Sequence, residues 1–511
     1  MARNPTTEAG ASGGISSHHP LYQTFVEDWE QMDDTYHGQR RVKEAGVRYL
    51  PPTQGMIEDG MKSAQQLGWK AYDAYRRRAV FPDFVAEAVE AMIGVMHHKP
   101  PQIELPSVME PMREMATLNH ESLEVLLRRI NEQQLVTGRL GLMLDLPSKP
   151  IMGSALPYIA VYEAPKIINW DVGRSDGIGL RDLNMVVLDE SEYERQADFS
   201  WEWQKKLRVL TLGDPTETFR DDLQQVLTYM QGVFRDDITT FTVENMMEPV
   251  IRGKRLEQIP FVFINSKDIV SEPDDPPLLG ISNLALTVYR GEADYRQTLF
   301  MQGQDTLVVI GGSEDTYRVG VGQMIKIGDT AGDAKYIGPS GEGLPEMRTS
   351  LENDYARASQ KGGQLLDSVS RQKESGEALS VRVAARTATL NQLAMAGAFG
   401  LQKLLRQAAE WIGANPEEVV VEPNLDFIDD TLGGEELVKL ATAKSLGAPL
   451  SRKSIHDLMA NKGLTEMTYE DEIKEIMEEE PLVEPSTDPD GPDPNDPSQD
   501  PQNQPEPDNQ G

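Results

Sequence analysis

From Leu278 to Phe427, three stretches of helical period are separated by one short glycine-rich insert of β character and one polar break, and this order constrains the fold more than anything else in the chain. In the first stretch Ile281, Leu284, Ala285, Val288, Tyr295 and Leu299 recur at three- and four-residue steps and share one helix face, with Glu292 interrupting the stripe. Between Thr306 and Gly343 the period changes: LVVIGG, MIKIG and KYIG are short β-rich runs divided by glycines, which predicts a small sheet with tight turns. Helical spacing resumes at Leu351, Tyr355, Ala358, Leu365, Leu366 and Val369. After the polar segment SRQKESGE at 370–377, a third stripe runs from Leu390 through Leu393, Ala394, Gly397, Leu401, Leu404, Leu405, Ala408, Trp411 and Ile412, about six turns of helix. Its small residues Gly397, Ala398 and Gly400 let another backbone come close or permit a kink. Three long apolar stripes exceed what one subunit readily covers, which predicts self-association into a closed ring.

With 511 residues, 39% of them apolar, the chain has room for two to four domains with substantial cores. No apolar run approaches the roughly 18 residues of a membrane span, and MARNPTTEAGASGG lacks the apolar core of a signal peptide, so the expected site of synthesis and residence is the cytoplasm. The absence of cysteine removes disulfides, thiolate metal sites and cysteine nucleophiles. Charge excludes more. Lys and Arg number 49 against 83 Asp and Glu, a net −34, so a broad phosphate-binding surface is not expected. Residues 481–511 hold eight acidic residues, nine prolines and no Lys or Arg; such a tail is too polar to pack and is expected to stay disordered, as a solvating appendage or a docking tail. Without it the body still carries −26. By itself such acidity implies ordinary solubility.

Along the chain, residues 1–19 are Gly-, Ser- and Thr-rich and read as flexible. From 20 to about 135 the pattern is helical: Phe84, Val85, Ala88, Val89, Met92, Ile93 and Met96 form one stripe, closed by Pro100 and Pro101, and 120–136 forms another. From about 138 to 265 short strands dominate: LGLMLDL, YIAVYE, KIINWDV, MVVLDE, WQKKLRVLTL, QVLTYM and IPFVFIN. Helices are expected again at about 434–446, 451–461 and 468–479, with Thr468 and Asp471 as a capping box. The fold class is therefore α+β.

Motifs of enzymatic chemistry are thin. Gly173-Arg174-Ser175-Asp176-Gly177 fits the G-x-S-x-G elbow, which needs a strand before the serine and a helix after it; the residues beyond Gly177 read as another strand, so a hairpin turn is expected. No G-x-x-x-x-G-K-[ST] sequence is present, so any translocation energy must come from a partner. The pairs His18-His19 and His97-His98 cannot set both rings on one metal from a helix, His120-Glu121 lacks the second histidine of a zincin, and the prolines of DPDGPDPND spoil a calcium loop. No catalytic residue, metal or cofactor is expected.

The chain resembles the portal (head-tail connector) proteins of tailed bacteriophages. The resemblance is carried by YDAYRRRAVF at 72–81, AVEAMIGVMHHKPP at 88–101, VTGRLGLMLDLP at 136–147, YEAPKIINWDV at 162–172, QIPFVFIN at 258–265, IKIGDTAGDAKYIGPSGEGLPEMR at 325–348 and ESGEALSVR at 374–382. Each is degenerate; their order and spacing over residues 20–480 make the match. It implies a portal fold with a mixed α/β wing at 20–277, helical in its first half and β-rich in its second. It further implies stem helices at 278–304 and 348–369 flanking a β-rich clip at 305–347, a tunnel loop at 370–378, a long wing helix within 379–430, a helical crown at 431–480 and the acidic tail at 481–511. By the same resemblance, twelve copies form a ring at one capsid vertex, within the virion, that passes double-stranded DNA. Terminase, major capsid and scaffold proteins, and then head-completion or adaptor proteins, are its expected partners, with no membrane. Ser370, Arg371, Gln372, Lys373 and Glu374 would face the channel, with Arg371 and Lys373 making transient phosphate contacts that Glu374 and Glu377 weaken, unless the segment is an ordinary solvated turn. Tyr317, Arg318, Lys335 and Tyr336 would dock the motor or adaptor. Two other readings stay open: a capsid scaffold or other virion structural protein, and a hydrolase using Ser175.

Overall fold

The computed structural model describes residues 14–147, 156–173, 183–213, 228–235, 245–303, 306–310, 332–337, 343–366, 376–425, 427, 442, 444, 451–461, 465 and 467–478. At 306, 307, 336, 337, 359, 361–366, 376–387 and 458 it describes the backbone alone. The chain divides into two units, Met1–Phe427 and Ile428–Gly511.

The first unit mixes helix and sheet. Its helical part comprises α1 (Pro20–Tyr36), α2 (Gln39–Ala45), α3 (Gln54–Glu58), α4 (Leu67–Arg78), α5 (Phe84–Met96), α6 (Pro111–Glu114) and α7 (Leu123–Val136). Side chains start several of these: His19 Nδ1 accepts from the Leu21 amide at 3.1 Å, and Ser122 Oγ accepts from Val125 N at 3.3 Å, satisfying amides that have no partner inside the helix. The stripe of α5 is buried as its period predicts, from Val85 to Met96, with Phe84 only partly covered.

Strand β1 is Gln102–Glu104; β2 (Arg139–Asp145), β3 (Tyr158–Glu163), β4 (Ile167–Val172), β5 (Leu183–Asp189), β6 (Glu192–Arg195), β7 (Trp201–Gln204), β8 (Lys206–Leu212) and β9 (Tyr229–Arg235) come next. The short pair β10 (Val250–Ile251) and β11 (Lys254–Arg255) precedes β12 (Phe261–Asn265). All pairings are antiparallel: β12-β2-β3 form one sheet, β4-β5-β8-β9 another, and β6-β7 a separate two-stranded ribbon. One expected run is corrected. WQKKLRVLTL is not one strand, because Trp201–Gln204 pairs with β6 while Lys206–Leu212 joins the four-stranded sheet, with Lys205 between them as the point where the chain changes sheet. Of QVLTYM, 225–227 lie outside the described residues; β9 runs from Tyr229 through Gly232 to Arg235, held by seven register pairs with β8.

Helix α8 (Leu279–Gln302), the ribbon β13 (Thr306–Ile310) and β14 (Asp333–Ile337), α9 (Leu344–Leu366), α10 (Gly376–Ile412) and β15 (Val420–Glu422) complete the unit. MIKIG lies outside the described residues. Helix α9 starts four residues earlier than 348, since Pro345 fits the first turn where no amide partner is lost, and α10 starts at Gly376, inside the segment expected to be loop. Helix α10 is the spine of the core. Leu390, Leu393 and Ala394 pack with α5 and the start of α8, while Leu401, Leu404, Leu405 and Ala408 pack with α7, β2 and β12. Its glycines serve close approach: a Cβ on Gly397 would lie 2.6 Å from Asn131 Nδ2, and one on Gly400 2.5 Å from Ile264 Cδ1.

Between the sheets, Arg139 is wholly buried with its guanidinium 4.2 Å from the Trp170 ring and 4.4 Å from that of Phe263. Burial pulls its pKa down to about 9, and the two π faces stand where hydrogen-bond acceptors would be expected. His19 stacks on the same Trp170 at 4.0 Å.

In the second unit the structure describes α11 (Arg452–Asn461) and α12 (Tyr469–Glu478). Thr468 caps α12 as the sequence predicts, its Oγ1 accepting from Asp471 N at 3.3 Å and donating to Asp471 Oδ2 at 2.7 Å. His456 of α11 reaches Glu472 of α12 at 2.9 Å. Most of 434–446 lies outside the described residues.

Candidate functional site: a helical hairpin carrying a β tip

Helices α8 and α9 form an antiparallel pair. Thr306, four residues after α8, pairs with Ile337, seven residues before α9, so the two helices meet the ribbon at the same end. Along their length Gly291 leaves room for Leu351, whose Cδ1 would sit 3.3 Å from a Cβ there. The interrupting residue of the first stripe is explained at this seam. Glu292 is buried and takes Arg296 Nε at 2.5 Å and the Tyr355 hydroxyl at 3.4 Å, so a charge is held between the legs because both of its oxygens are used.

The ribbon-side half of α8 is clamped by the motif YDAYRRRAVF. Tyr75, on α4, donates to Asp294 Oδ1 at 2.6 Å, and burial together with that carboxylate drives the phenol's pKa upward. Arg78 donates to Gln297 Oε1 and lies 4.0 Å over the Phe300 ring; Arg290 of α8 donates to the Tyr49 carbonyl at 2.8 Å. Arg76 turns inward to the Lys43 carbonyl at 2.8 Å and to Asp73. Phe84 meets Tyr355 edge to face at 5.7 Å. The hairpin therefore stands on α4 and α5 through directional contacts.

Cover runs out toward the ribbon. Leu299, Phe300 and Met301 are 42%, 41% and 50% exposed, and Ile310 on β13 is also exposed. On α10, Met395 and Phe399 are exposed one turn apart, on the side away from its buried stripe. Lys335, expected in the clip, lies exposed on β14 opposite Val308; Tyr336 lies opposite Leu307 and is described in its backbone only. Tyr317 and Arg318, and the expected channel residues Ser370, Arg371, Gln372, Lys373 and Glu374, lie outside the described residues. Sequence reasoning missed the clamp: Tyr75, Arg78 and Glu292 partner residues up to 219 positions away. The one available signal was the density of RRR beside tyrosines in a strongly acidic chain.

Other polar groups read as structural. Arg208 lies 2.7 Å from Glu190 and 3.1 Å from Asp145, and Tyr162 donates to Glu190 at 2.6 Å. Burial opposes the Arg208 charge, yet Glu190, Tyr162 and Asp145 outweigh it and hold its pKa above the ordinary value. His97 and His98 look to different partners, Asn131 at 2.9 Å and Asn424 at 3.0 Å. Among the described residues no group of three His, Asp or Glu could hold a metal ion. Ser175 lies outside them, between β4 and β5, which pair antiparallel at Val172 and Leu183. A 390 Å³ cavity beside β12 is lined by Phe261, Phe263, Glu272, Lys403 and Gln407, among others. No described helix is long and apolar enough to cross a membrane.

The architecture thus defines a mixed helix-and-sheet body from which a two-helix hairpin carries a small β tip. Residues 277–412, the hairpin and α10, match the model of a family described as a domain of unknown function, DUF4055. No curated protein matches the chain. Among solved structures, the chain is similar to one in the virion of a native gene transfer agent particle, at 13% identity and a TM-score of 0.36, over 74% of this chain and 89% of that one. It is also similar to a chain in the neck of the native particle, computed with C12 symmetry (11% identity, TM-score 0.35, 74% and 89% covered). A chain in the neck of the empty particle, computed with C6 symmetry, is a third (13%, 0.34, 81% and 94%). At this identity and TM-score the likeness says nothing of activity.

Proposed function

We propose that the chain is a structural subunit of a tailed-phage-type particle, the portal, which closes into a ring at one capsid vertex and passes double-stranded DNA inward during packaging and outward during ejection. The observation that carries this reading is the clamped α8/α9 hairpin with its ribbon tip, whose apolar end at Leu299, Phe300 and Met301 stays two-fifths to half exposed among the described residues. Side-by-side packing of such hairpins around an axis supplies cover. In this reading Ser370–Glu374 line the channel, Tyr317, Arg318, Lys335 and Tyr336 meet the terminase motor and later the adaptor, and the protein resides in the virion after assembly in the host cytoplasm. Its role is mechanical, with no catalytic group or cofactor of its own. The excess of carboxylates keeps the duplex from adhering to the wall.

Purified protein tests it. Twelve copies of the 56.9 kDa chain give particles of about 680 kDa, seen by mass photometry and as rings with a central hole in negative stain. Monomer or dimer alone, across salt and concentration, overturns the ring; large particles without a hole favour a scaffold. Esterase activity lost in Ser175→Ala would favour the hydrolase.

A further inference from the structure

The cavity beside β12 combines a volume and a lining that suit a small molecule. Its 390 Å³ falls within the roughly 300–1,000 Å³ of such sites. Leu212 at the end of β8 and Phe261 and Phe263 on β12 supply apolar wall, and all three are buried. Strand β12 is the last of its sheet, with only β2 beside it, which leaves room at its other side. Helix α10 contributes Lys403 and Gln407, which stand four residues apart and so share one helix face.

Both of these polar side chains lack what their chemistry requires. Gln407 Oε1 is withdrawn from water and accepts no hydrogen bond among the described residues, a costly condition for an amide oxygen. Lys403 is exposed and makes no ion pair among the described residues, in a chain with 83 acidic residues to choose from. Glu272 lines the cavity as well, but its charge acts on the buried Arg139 and on His19, favouring the protonated form of each, and the Arg139 cation offsets it. Lys403 is the single cation of the lining. One ammonium matches a monoanion, whereas a phosphate group recruits several cations or a run of backbone amides. We infer that this cavity binds a small amphipathic carboxylic acid, with its carboxylate at Lys403, an N–H or O–H donating to Gln407 Oε1 and its apolar body against Leu212, Phe261 and Phe263. The Gln407 amide reaches that position by turning about its last side-chain bond, a soft rotation. A ligand so held ties α10, the spine of the core, to β12 and to residues 269–272, which line the same cavity. The inference concerns one subunit and is independent of the ring reading.

Indole-3-acetate is the probe, because it carries a carboxylate, an N–H donor and an apolar bicycle; indole-3-acetamide keeps the shape without the charge. Calorimetry on the full-length chain should show saturable binding of the acid, one per chain, with the amide weaker by about threefold, as expected for an exposed ion pair. Hydrogen exchange should slow at 261–263 and 269–272 when the acid is present. Lys403→Gln, a change at an exposed position, should bring the acid down to the affinity of the amide and leave the amide unaffected. Gln407→Leu should weaken both compounds yet raise the melting temperature of the unliganded protein, since it removes an acceptor that has no partner; a glutamine that served only the fold would lower it. No saturable binding at millimolar acid overturns the site. Binding that is indifferent to Lys403→Gln, or that slows exchange only outside 261–263 and 269–272, overturns it too. A lower melting temperature in Gln407→Leu with unchanged affinity overturns the part given to Gln407.

Discussion

Gly397→Ala adds one methyl at the most crowded point of α10. The new Cβ would stand 2.6 Å from Asn131 Nδ2, 2.9 Å from Gln134 Oε1 and 3.2 Å from Ile130 Cγ2, where ordinary contact begins near 3.4 Å. Those two amides are links in a buried chain: His97 Nε2 meets Asn131 Oδ1 at 2.9 Å, Asn131 Nδ2 donates to Gln134 Oε1 at 2.8 Å, and Gln134 Nε2 donates to the Asn265 carbonyl at 2.7 Å. Relief requires a shift that breaks at least one link. Overpacking costs about 1–3 kcal/mol and an orphaned buried amide about 1–3 more, against roughly 1 kcal/mol gained by replacing glycine in a helix. The expected net loss is about 1–5 kcal/mol.

Gly94→Ala in α5 is the matched control, because nothing lies within 4 Å of its added Cβ. It should gain up to about 1 kcal/mol. Urea unfolding, together with hydrogen exchange at the α7 and α10 amides, should move in opposite directions for the two variants. If Gly397→Ala is as stable as wild type, or gains as Gly94→Ala does, the close approach of α7 to α10 is wrong.

Three further perturbations probe other parts of the core. Arg139→Met should stay within about 1.5 kcal/mol of wild type, since the guanidinium meets π faces, while Arg139→Ala leaves a hole between Trp170 and Phe263 and should cost about 2–5 kcal/mol; equal damage by both in thermal melts contradicts this. His97 has its pKa lowered from 6.5, chiefly by burial, so below about pH 6.5 the unfolded chain takes up the proton and stability falls. Wild type's advantage over His97→Gln in urea should accordingly be full at pH 7.5 and shrink by pH 5.5, and an advantage that grows on acidification would reverse the sign. Glu292→Ala strips Arg296 and Tyr355 of their shared acceptor and should speed hydrogen exchange along α9; unchanged exchange would show that the seam does not depend on that carboxylate.

What could be read from the sequence was what repeats. The stripes of α5, α7 and α10 were legible because burial follows a 3.6-residue period, and β2, β3 and β12 because apolar runs were bounded by Gly and Pro; on α8 the expected stripe is buried at Ile281, Ala285 and Val288, but Leu284 and Tyr295 are half-buried and Leu299 is exposed, while Leu286, Tyr289 and Ala293 are buried instead. Gly397 was legible only as a pair of options, since composition shows a small residue but not what approaches it; Asn131 and Gln134 decide for contact. Arg139 was invisible as a core residue: in TGRLGLMLD it looks like the polar edge of a strand, and its rings arrive from 31 and 124 positions further on. Tyr75, Arg78 and Glu292 share that difficulty, because a clamp between distant segments leaves no period in either.

The ribbon β6-β7 shows the opposite failure, in which pattern is present and its meaning is inverted. Tyr193 and Arg195 facing Trp201 and Trp203 alternate with glutamates as a half-buried strand would, and period alone assigns the aromatic face to the interior. Lys205 prevents that by passing the chain to another sheet, so the ribbon stays outside β4-β5-β8-β9 with its rings in water. Alternation therefore records only which side chains share a face of the strand pair; whether that face meets the core of the same subunit depends on where the chain goes next, and here it leaves for another sheet after Gln204.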